Sequence, residues 1–372
     1  MKPIFSLLFF GLLHIVSFAQ IDRGPPRAAF VSGGAAQGVP KQVFEPAAVV
    51  RPLISKQLEN TFKNRTLQNA INELANLDTT LSLVVLEGDS IIHESYRSPA
   101  RPDTHQAGFS MTKSVVAYTL AFPFCEDKIV SLSDNADVYS ATLKNTVYGD
   151  ASIENILTMR SGAPKSSAYG LSRLSEPNEI WDGKYTLVQF LKEFSQKSMK
   201  PGVDFNYYNN NTQALVELMN SVGGFEQYFR KNIIDNIGLE ARAYWMKDRD
   251  NNLYGGSGLI MTARDWGRLA LYFADMHNGN VSACVSKYMK SATTRHAETG
   301  DMVKSVGFRS YGYQTWLNPI FGSGKGFWLV GAGGQHIAIE PFSKKILVLS
   351  SHGSMHGRVD YVIKAFSALL DK

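Results

Sequence analysis

Strand-like segments at the two ends of the chain, with a long helical stretch between them, restrict its fold most. Near the N-terminal end, Leu81 to Leu86 and Ser90 to Tyr96 flank Glu87-Gly88-Asp89 and read as a hairpin. Near the C-terminal end, Trp328-Leu329-Val330, Ile337-Ala338-Ile339 and Lys345 to Ser350 read as successive strands. Between them, from Ser110 to about residue 300, the apolar residues recur mainly at helical spacing. Leu67, Ala70, Ile71, Leu74 and Leu77 mark a helix ahead of the hairpin, and Val362, Ile363, Phe366 and Leu370 mark one that closes the chain. This layout predicts an α/β fold: one sheet built from both chain ends and flanked by helices, with a mainly helical lobe inserted. The α/β lobe takes about residues 53–109 and 301–372, the helical lobe about 110–300, and together they form one domain over 53–372. A site is expected in the cleft between the lobes.

The residues before that domain read differently. Residues 1–19 have a basic start at Lys2, an apolar run from Ile4 to Phe10 and a small-residue end at Ser17-Phe18-Ala19, which reads as a secretory signal peptide. Gly11, His14 and Ser17 interrupt the run, and no cysteine follows it, so neither a permanent membrane helix nor a lipoprotein anchor is expected. A periplasmic or secreted location follows. Residues 20–52, rich in Gly, Pro and Ala, read as a poorly ordered lead-in. Two cysteines, Cys125 and Cys284, allow one disulfide in an oxidising compartment, although their spacing leaves the pairing open. The net charge of +5 is scattered, without the basic block of a nucleic-acid binder.

Three elements carry chemistry. Ser110-Met111-Thr112-Lys113 opens an apolar helical run, Val115 to Leu120. Helix positions i and i+3 share a face, so the Lys113 amine can reach the Ser110 hydroxyl and, once burial lowers its pKa, take the proton. An ordinary helix cap with a solvated lysine is the competing reading. Pro201 to Asn209 places Tyr207 and Asn209 in a loop before a second helix, where a phenol can relay a proton if nearby cations depress its pKa, and an amide can orient a lysine. Gly331-Ala332-Gly333-Gly334-Gln335 lies between two strands, where glycines allow close backbone approach and a backbone N–H can join the Ser110 N–H in an oxyanion hole. A tight turn needing positive φ is the plainer reading of those glycines.

The ordered set S-x-x-K at Ser110, Y-x-N at Tyr207 and a glycine-rich strand at Gly331 resembles the serine β-lactamase and penicillin-binding-protein superfamily. Within it, the chain is most similar to the class C-like branch of esterases, D-aminopeptidases and 6-aminohexanoate-dimer hydrolases. Ile153 to Gly162, Gly258 to Asp265, Tyr311 to Trp316 and the Gly334 to Pro341 pattern resemble segments of that branch. The resemblance spans roughly residues 80–372. It implies a β-lactamase-like fold with an antiparallel sheet and an acyl-enzyme on Ser110. Lys113 and Tyr207 would share the acid–base work, Asn209 would orient Lys113, and Gly331, Gly333, Gly334 and Gln335 would form the oxyanion and substrate rim. No metal or cofactor is implied, and the partner would be a small-molecule amide or ester.

Two departures stand out. The family's third motif is usually K-T-G or H-T-G, and the simplest alignment here gives Leu329-Val330-Gly331; a shifted alignment would bring in Lys325. Pro123 falls where a helix starting at Ser110 should still run, so that helix is expected to stop or kink before Phe124. A hydrolase of amides or esters is the main expectation. A β-lactamase or D,D-peptidase-type cell-wall enzyme is the alternative, and a non-catalytic binding protein on the same fold the second. Tyr169, Trp181, Trp245 and Trp316 are candidates for pocket walls, with core packing the plainer reading. Gly322 to Gly326 lacks the spacing of a phosphate loop, and His352 and His356 lack a helix to hold a metal between them.

Overall fold

A computed structural model describes residues 38–164, 180, 183–193, 195–197, 199–353 and 359–372. The expected signal peptide, Tyr169, Trp181 and His356 lie outside the described residues. Among the described residues, thirteen strands form two sheets. In chain order they are β1 (Lys41–Phe44), β2 (Ile54–Ser55), β3 (Thr80–Glu87), β4 (Ser90–Tyr96), β5 (His105–Ala107), β6 (Ala243–Met246), β7 (Leu259–Thr262), β8 (Ala297–Glu298), β9 (Phe308–Tyr311), β10 (Trp316–Pro319), β11 (Phe327–Gly331), β12 (Gln335–Glu340) and β13 (Lys345–Ser351). The nine-stranded sheet runs β2-β4-β3-β13-β12-β11-β10-β9-β8, and the four-stranded sheet β1-β6-β7-β5.

The expected joining of the chain ends is made by β3 and β13, which pair antiparallel with Val84 opposite Val348. All pairings are antiparallel except the two-residue β2–β4 contact. Side chains alternate across β3: Leu83 and Val85 join the core under α1 (Phe62–Asn76) and α6 (Val359–Asp371), while Val84 and Leu86 join the core under α4 (Ala263–Asn278). Burial on both faces explains why β3 reads as an almost continuous apolar run rather than a polar–apolar alternation. Within α6, the buried residue near the end is Leu369, whereas Leu370 only packs at the edge of the core.

Helices α1 and α4 each start at a side-chain cap. Thr61 caps α1 through the Asn64 N–H at 3.2 Å, and Thr262 caps α4 through the Asp265 N–H at 3.2 Å. The helix opened by Ser110, α2 (Met111–Thr119), stops where expected, and a separate short helix covers Ala121–Cys125. Pro123 has no N–H to continue the ladder, and its ring would strike the carbonyl of Thr119, four residues back. The remaining helices used below are α3 (Asn209–Ser221) and α5 (Ala283–Ala292).

Two expectations need correcting. The described part of the supposed lead-in carries β1, which pairs with β6 in register Lys41 to Met246, so this stretch is a strand tied to the middle of the chain. The segment 110–300 is also not simply a helical lobe. It supplies β6 and β7, and its helix α4 packs on β3, β12 and β13 of the large sheet. Cys125 and Cys284 are paired, with Cα atoms 5.8 Å apart, joining the short helix after α2 to α5.

Candidate active site

The chain enters the site from β5. Gly108 sits against the Trp266 ring, where a Cβ would come within 2.4 Å, and Phe109 then takes a left-handed φ of +47°. Such a backbone is uncommon for a bulky residue and clusters at functional turns. It swings Ser110 to the N-terminal end of α2, half-buried.

Lys113 follows one turn later with its Nζ 2.9 Å from Ser110 Oγ. The lysine is 1% exposed. Its second acceptor is the Gly256 carbonyl at 2.6 Å. Burial disfavours the ammonium form and lowers the Lys113 pKa to about 7. At neutral pH a large share of the amine is therefore unprotonated and able to accept the serine proton. Gly256 did not stand out in the sequence analysis. Its signal was the glycine-rich run Gly255-Gly256-Ser257-Gly258 just ahead of β7, a sign of close backbone approach. The approach is visible at Gly255, where a Cβ would lie 2.8 Å from Val216 Cγ2 of α3.

Tyr207 is brought to the same point by a loop laced to the segment after the helix Ile153–Leu157. Met199 N–H donates to Gly162 O (3.1 Å), Gly202 N–H to Arg160 O (2.8 Å) and Asn206 N–H to Met159 O (2.7 Å). The Asn206 side-chain Nδ2 adds bonds to the Ala163 and Pro164 carbonyls at 2.9 and 2.8 Å. The segment 153–162 thus serves as the platform on which the Tyr207 loop is built. Trp316, a candidate pocket wall, packs behind Tyr207 at 5.3 Å between ring centroids, and Trp245 is core, against Phe225 and Phe229. Lys113 Nζ lies 5.1 Å from the Tyr207 ring centroid, and the phenol hydrogen-bonds with Ser110. The expectation that cations would depress the phenol is overturned: burial raises its pKa by more than the Ser110 bond lowers it. Burial thus favours the neutral Tyr207 phenol over the phenolate.

Asn209 starts α3 and donates from Nδ2 to the Tyr254 hydroxyl at 3.0 Å. From α3, Thr212 donates to Gln314 Oε1 (2.7 Å), and the Gln314 carbonyl accepts from Ser114 of α2, which locks the two helix starts together.

The glycine-rich rim arrives as the end of β11 and the tip of a hairpin. A Cβ on Gly331 would lie 2.3 Å from the Gly108 carbonyl oxygen, so the strand presses directly on the turn that presents Ser110. The close approach expected of a ligand is made by the chain's own backbone. Gly333 and Gly334, with φ of +78° and +85°, form the turn into β12. The Gln335 side chain faces inward and is buried. Its Nε2 donates to Ser351 O (2.6 Å) and Ala332 O (3.3 Å), and its Oε1 accepts from Ser350 Oγ (2.9 Å) and Ser351 N–H (3.2 Å).

The shifted third-motif alignment fails. Lys325 is exposed and precedes β11, six positions from Gly331, or about 20 Å along an extended strand. Leu329, which the simplest alignment sets at the position of the family cation, is fully buried in the core beneath α4. Among the described residues no cluster of three or more potential metal ligands occurs, and no helix is long and apolar enough to cross a membrane.

Solved structures of known proteins share this fold. No curated protein matches the chain. A putative 6-aminohexanoate-dimer hydrolase from Bacillus anthracis superposes with a TM-score of 0.70 at 18% identity, covering 91% of this chain and 92% of that one. A D-stereospecific amidohydrolase from Streptomyces sp. gives 0.62 at 15% identity, with 81% and 97% covered, and a class C beta-lactamase 0.61 at 15%, with 85% and 99% covered. At these identities the likeness shows a shared fold. The beta-lactamase family model matches residues 75–362, most of the chain, and the protein belongs to that family of serine hydrolases.

Proposed function

We propose that the protein is an exported hydrolase that cleaves an amide or ester bond of a small substrate through an acyl-enzyme on Ser110. The observation that carries this reading is the buried Lys113 amine 2.9 Å from the Ser110 hydroxyl, with a pKa brought down to about 7. Unprotonated Lys113 accepts the serine proton as Ser110 Oγ attacks the carbonyl carbon. The negative charge on the carbonyl oxygen is met by the Ser110 N–H at the start of α2 and by a backbone N–H of the 331–335 rim. The neutral Tyr207 phenol, bonded to Ser110, passes a proton to the leaving group and is restored from Lys113. Asn209 helps fix the amine. Water then attacks the acyl-enzyme by the reverse proton path.

The leaving and acyl groups would be uncharged near the rim, because the third-motif place holds Leu329 instead of a cation. This weighs against the β-lactamase or D,D-peptidase reading, in which such a cation would hold a substrate carboxylate. A binding protein would have no use for a lysine buried against a serine. The Cys125–Cys284 disulfide supports an oxidising compartment and hence export directed by residues 1–19, with 53–372 as the hydrolase domain.

The test is reaction of the mature protein with a fluorophosphonate, followed by peptide mass mapping and a screen of neutral ester and amide substrates. A single adduct on Ser110, slowed at least about 100-fold by Lys113→Ala, is expected for loss of a general base. A folded protein with no adduct would contradict the reading.

A further inference from the structure

The turn that carries the Gly256 carbonyl also carries a side chain that touches two parts of the site. Tyr254 is 4% exposed. Gly256 packs against its ring: a Cβ at 256 would come within 2.8 Å of Tyr254 Cε2, Cζ and Oη. The Tyr254 hydroxyl accepts from Asn209 Nδ2 at 3.0 Å. The backbone on either side is fixed by other groups. Gln213 of α3 accepts from Gly255 N–H (3.0 Å) and donates to Leu253 O (3.3 Å), and the Tyr254 carbonyl accepts from the Trp245 indole at 2.9 Å. At Gly256 the neighbouring surface is the Tyr254 ring.

We propose that Tyr254 is a positioning residue for the lysine base: its ring aims the Gly256 carbonyl at Lys113, and its hydroxyl sets the orientation of the Asn209 amide beside it. This rests on the hydrolase reading above. A carbonyl 2.6 Å from Nζ favours the protonated amine and opposes the effect of burial. If the Gly256 peptide tilts, Lys113 loses that acceptor, is aimed less well at Ser110 and gives up its proton more readily. Among the described residues, Tyr207, its ring centroid 5.1 Å from Nζ, and Tyr254, beyond the Gly256 peptide, are titratable groups beside the amine. Burial is the cause of its lowered pKa among the described residues, so a moved carbonyl is not masked by a competing charge. The planar Asn209 amide, held at Nδ2, turns Oδ1 away from the Tyr254 hydroxyl; without that hydroxyl the amide is free to flip.

The experiment measures the rate of Ser110 phosphonylation by a fluorophosphonate from pH 5 to 9. It compares the wild-type protein with Tyr254→Ala, Tyr254→Phe and the control Tyr272→Phe, which loses a buried phenol bond to the Asn232 carbonyl instead. Tyr254→Ala is expected to react at least about tenfold more slowly at neutral pH, with its midpoint lowered by about half a pH unit or more. Tyr254→Phe should be about fivefold slower, the size expected for one hydrogen bond, with a smaller downward shift. Tyr272→Phe should match the wild type. Folded Tyr254 variants with the wild-type rate and midpoint would overturn the proposal, as would a slower rate at an unchanged midpoint, which marks a role in stability alone. If Tyr254→Ala does not fold, Tyr254→Phe decides by itself. A wild-type protein with no adduct at any pH would instead remove the hydrolase reading and this inference with it.

Discussion

On the α2 side of Ser110 the contacts are polar and directed; on the β11 side they are backbone packing and apolar burial. Lys113 is held by a hydroxyl and a carbonyl, and the Tyr207 loop by a ladder of backbone hydrogen bonds to 159–164. On the β11 side, Gly331 packs against the Gly108 carbonyl and Leu329 is buried. In the proposed reading, the first wall activates the nucleophile, and the second would hold a substrate without the cation and hydroxyl of the usual third motif. If that reading holds, the reaction machinery and the substrate anchor are separable, because they sit on different elements with different supports.

The largest expected effect comes from breaking the support of the first wall. The disulfide closes a loop spanning 159 positions, and α5 also buttresses α2 through the Tyr288 hydroxyl on the Ala117 carbonyl at 2.8 Å. Replacing both cysteines with alanine should lower the unfolding free energy by about 4 kcal/mol, read by urea denaturation. The folded fraction should still label on Ser110, since neither cysteine touches the dyad.

A smaller effect is expected at the second wall. Gly331→Ala forces a methyl group onto the Gly108 carbonyl, so β11 and the Ser110 turn must move apart by several tenths of an ångström or more. Labelling of Ser110 should slow by about 10- to 100-fold, the scale of a misplaced reacting group. An unchanged rate would mean that the rim does not set the position of the serine. The smallest effect belongs to Lys325→Ala. Exposed at the far end of β11, this lysine should change the rate on any ester or amide by less than about twofold. A large loss confined to carboxylate-bearing substrates would restore the cation to the second wall and erase the contrast.

The readable parts of the chain were those whose cause is local. Ser110 and Lys113 meet because they are one helical turn apart, and Pro123 ends α2 through its own missing N–H. The hairpin β3–β4 turns at Gly88, with φ of +57°, and Thr262 caps α4 from three residues away. What was not legible depends on residues far apart in sequence. The Gly256 carbonyl reaches Lys113 across 143 positions, and β1 finds β6 across about 200, although a composition rich in Gly, Pro and Ala had suggested an unstructured lead-in. The inward turn of Gln335 depends on Ser350 and Ser351 of β13. The choice between Leu329 and Lys325 needed the direction of β11, and the rise of the Tyr207 pKa needed the aromatic rings packed around it.

The most direct test of the account is the pH dependence of Ser110 labelling in the wild-type protein. In the proposed mechanism Lys113 works as the unprotonated amine, and burial lowers its pKa to about 7. The rate should therefore rise about tenfold per pH unit up to about 7 and level off above it. The raised Tyr207 phenol adds no fall in the neutral range. A rate that is flat across this range, or that climbs only toward the ordinary lysine value near 10.5, would contradict the claim that a buried Lys113 activates Ser110.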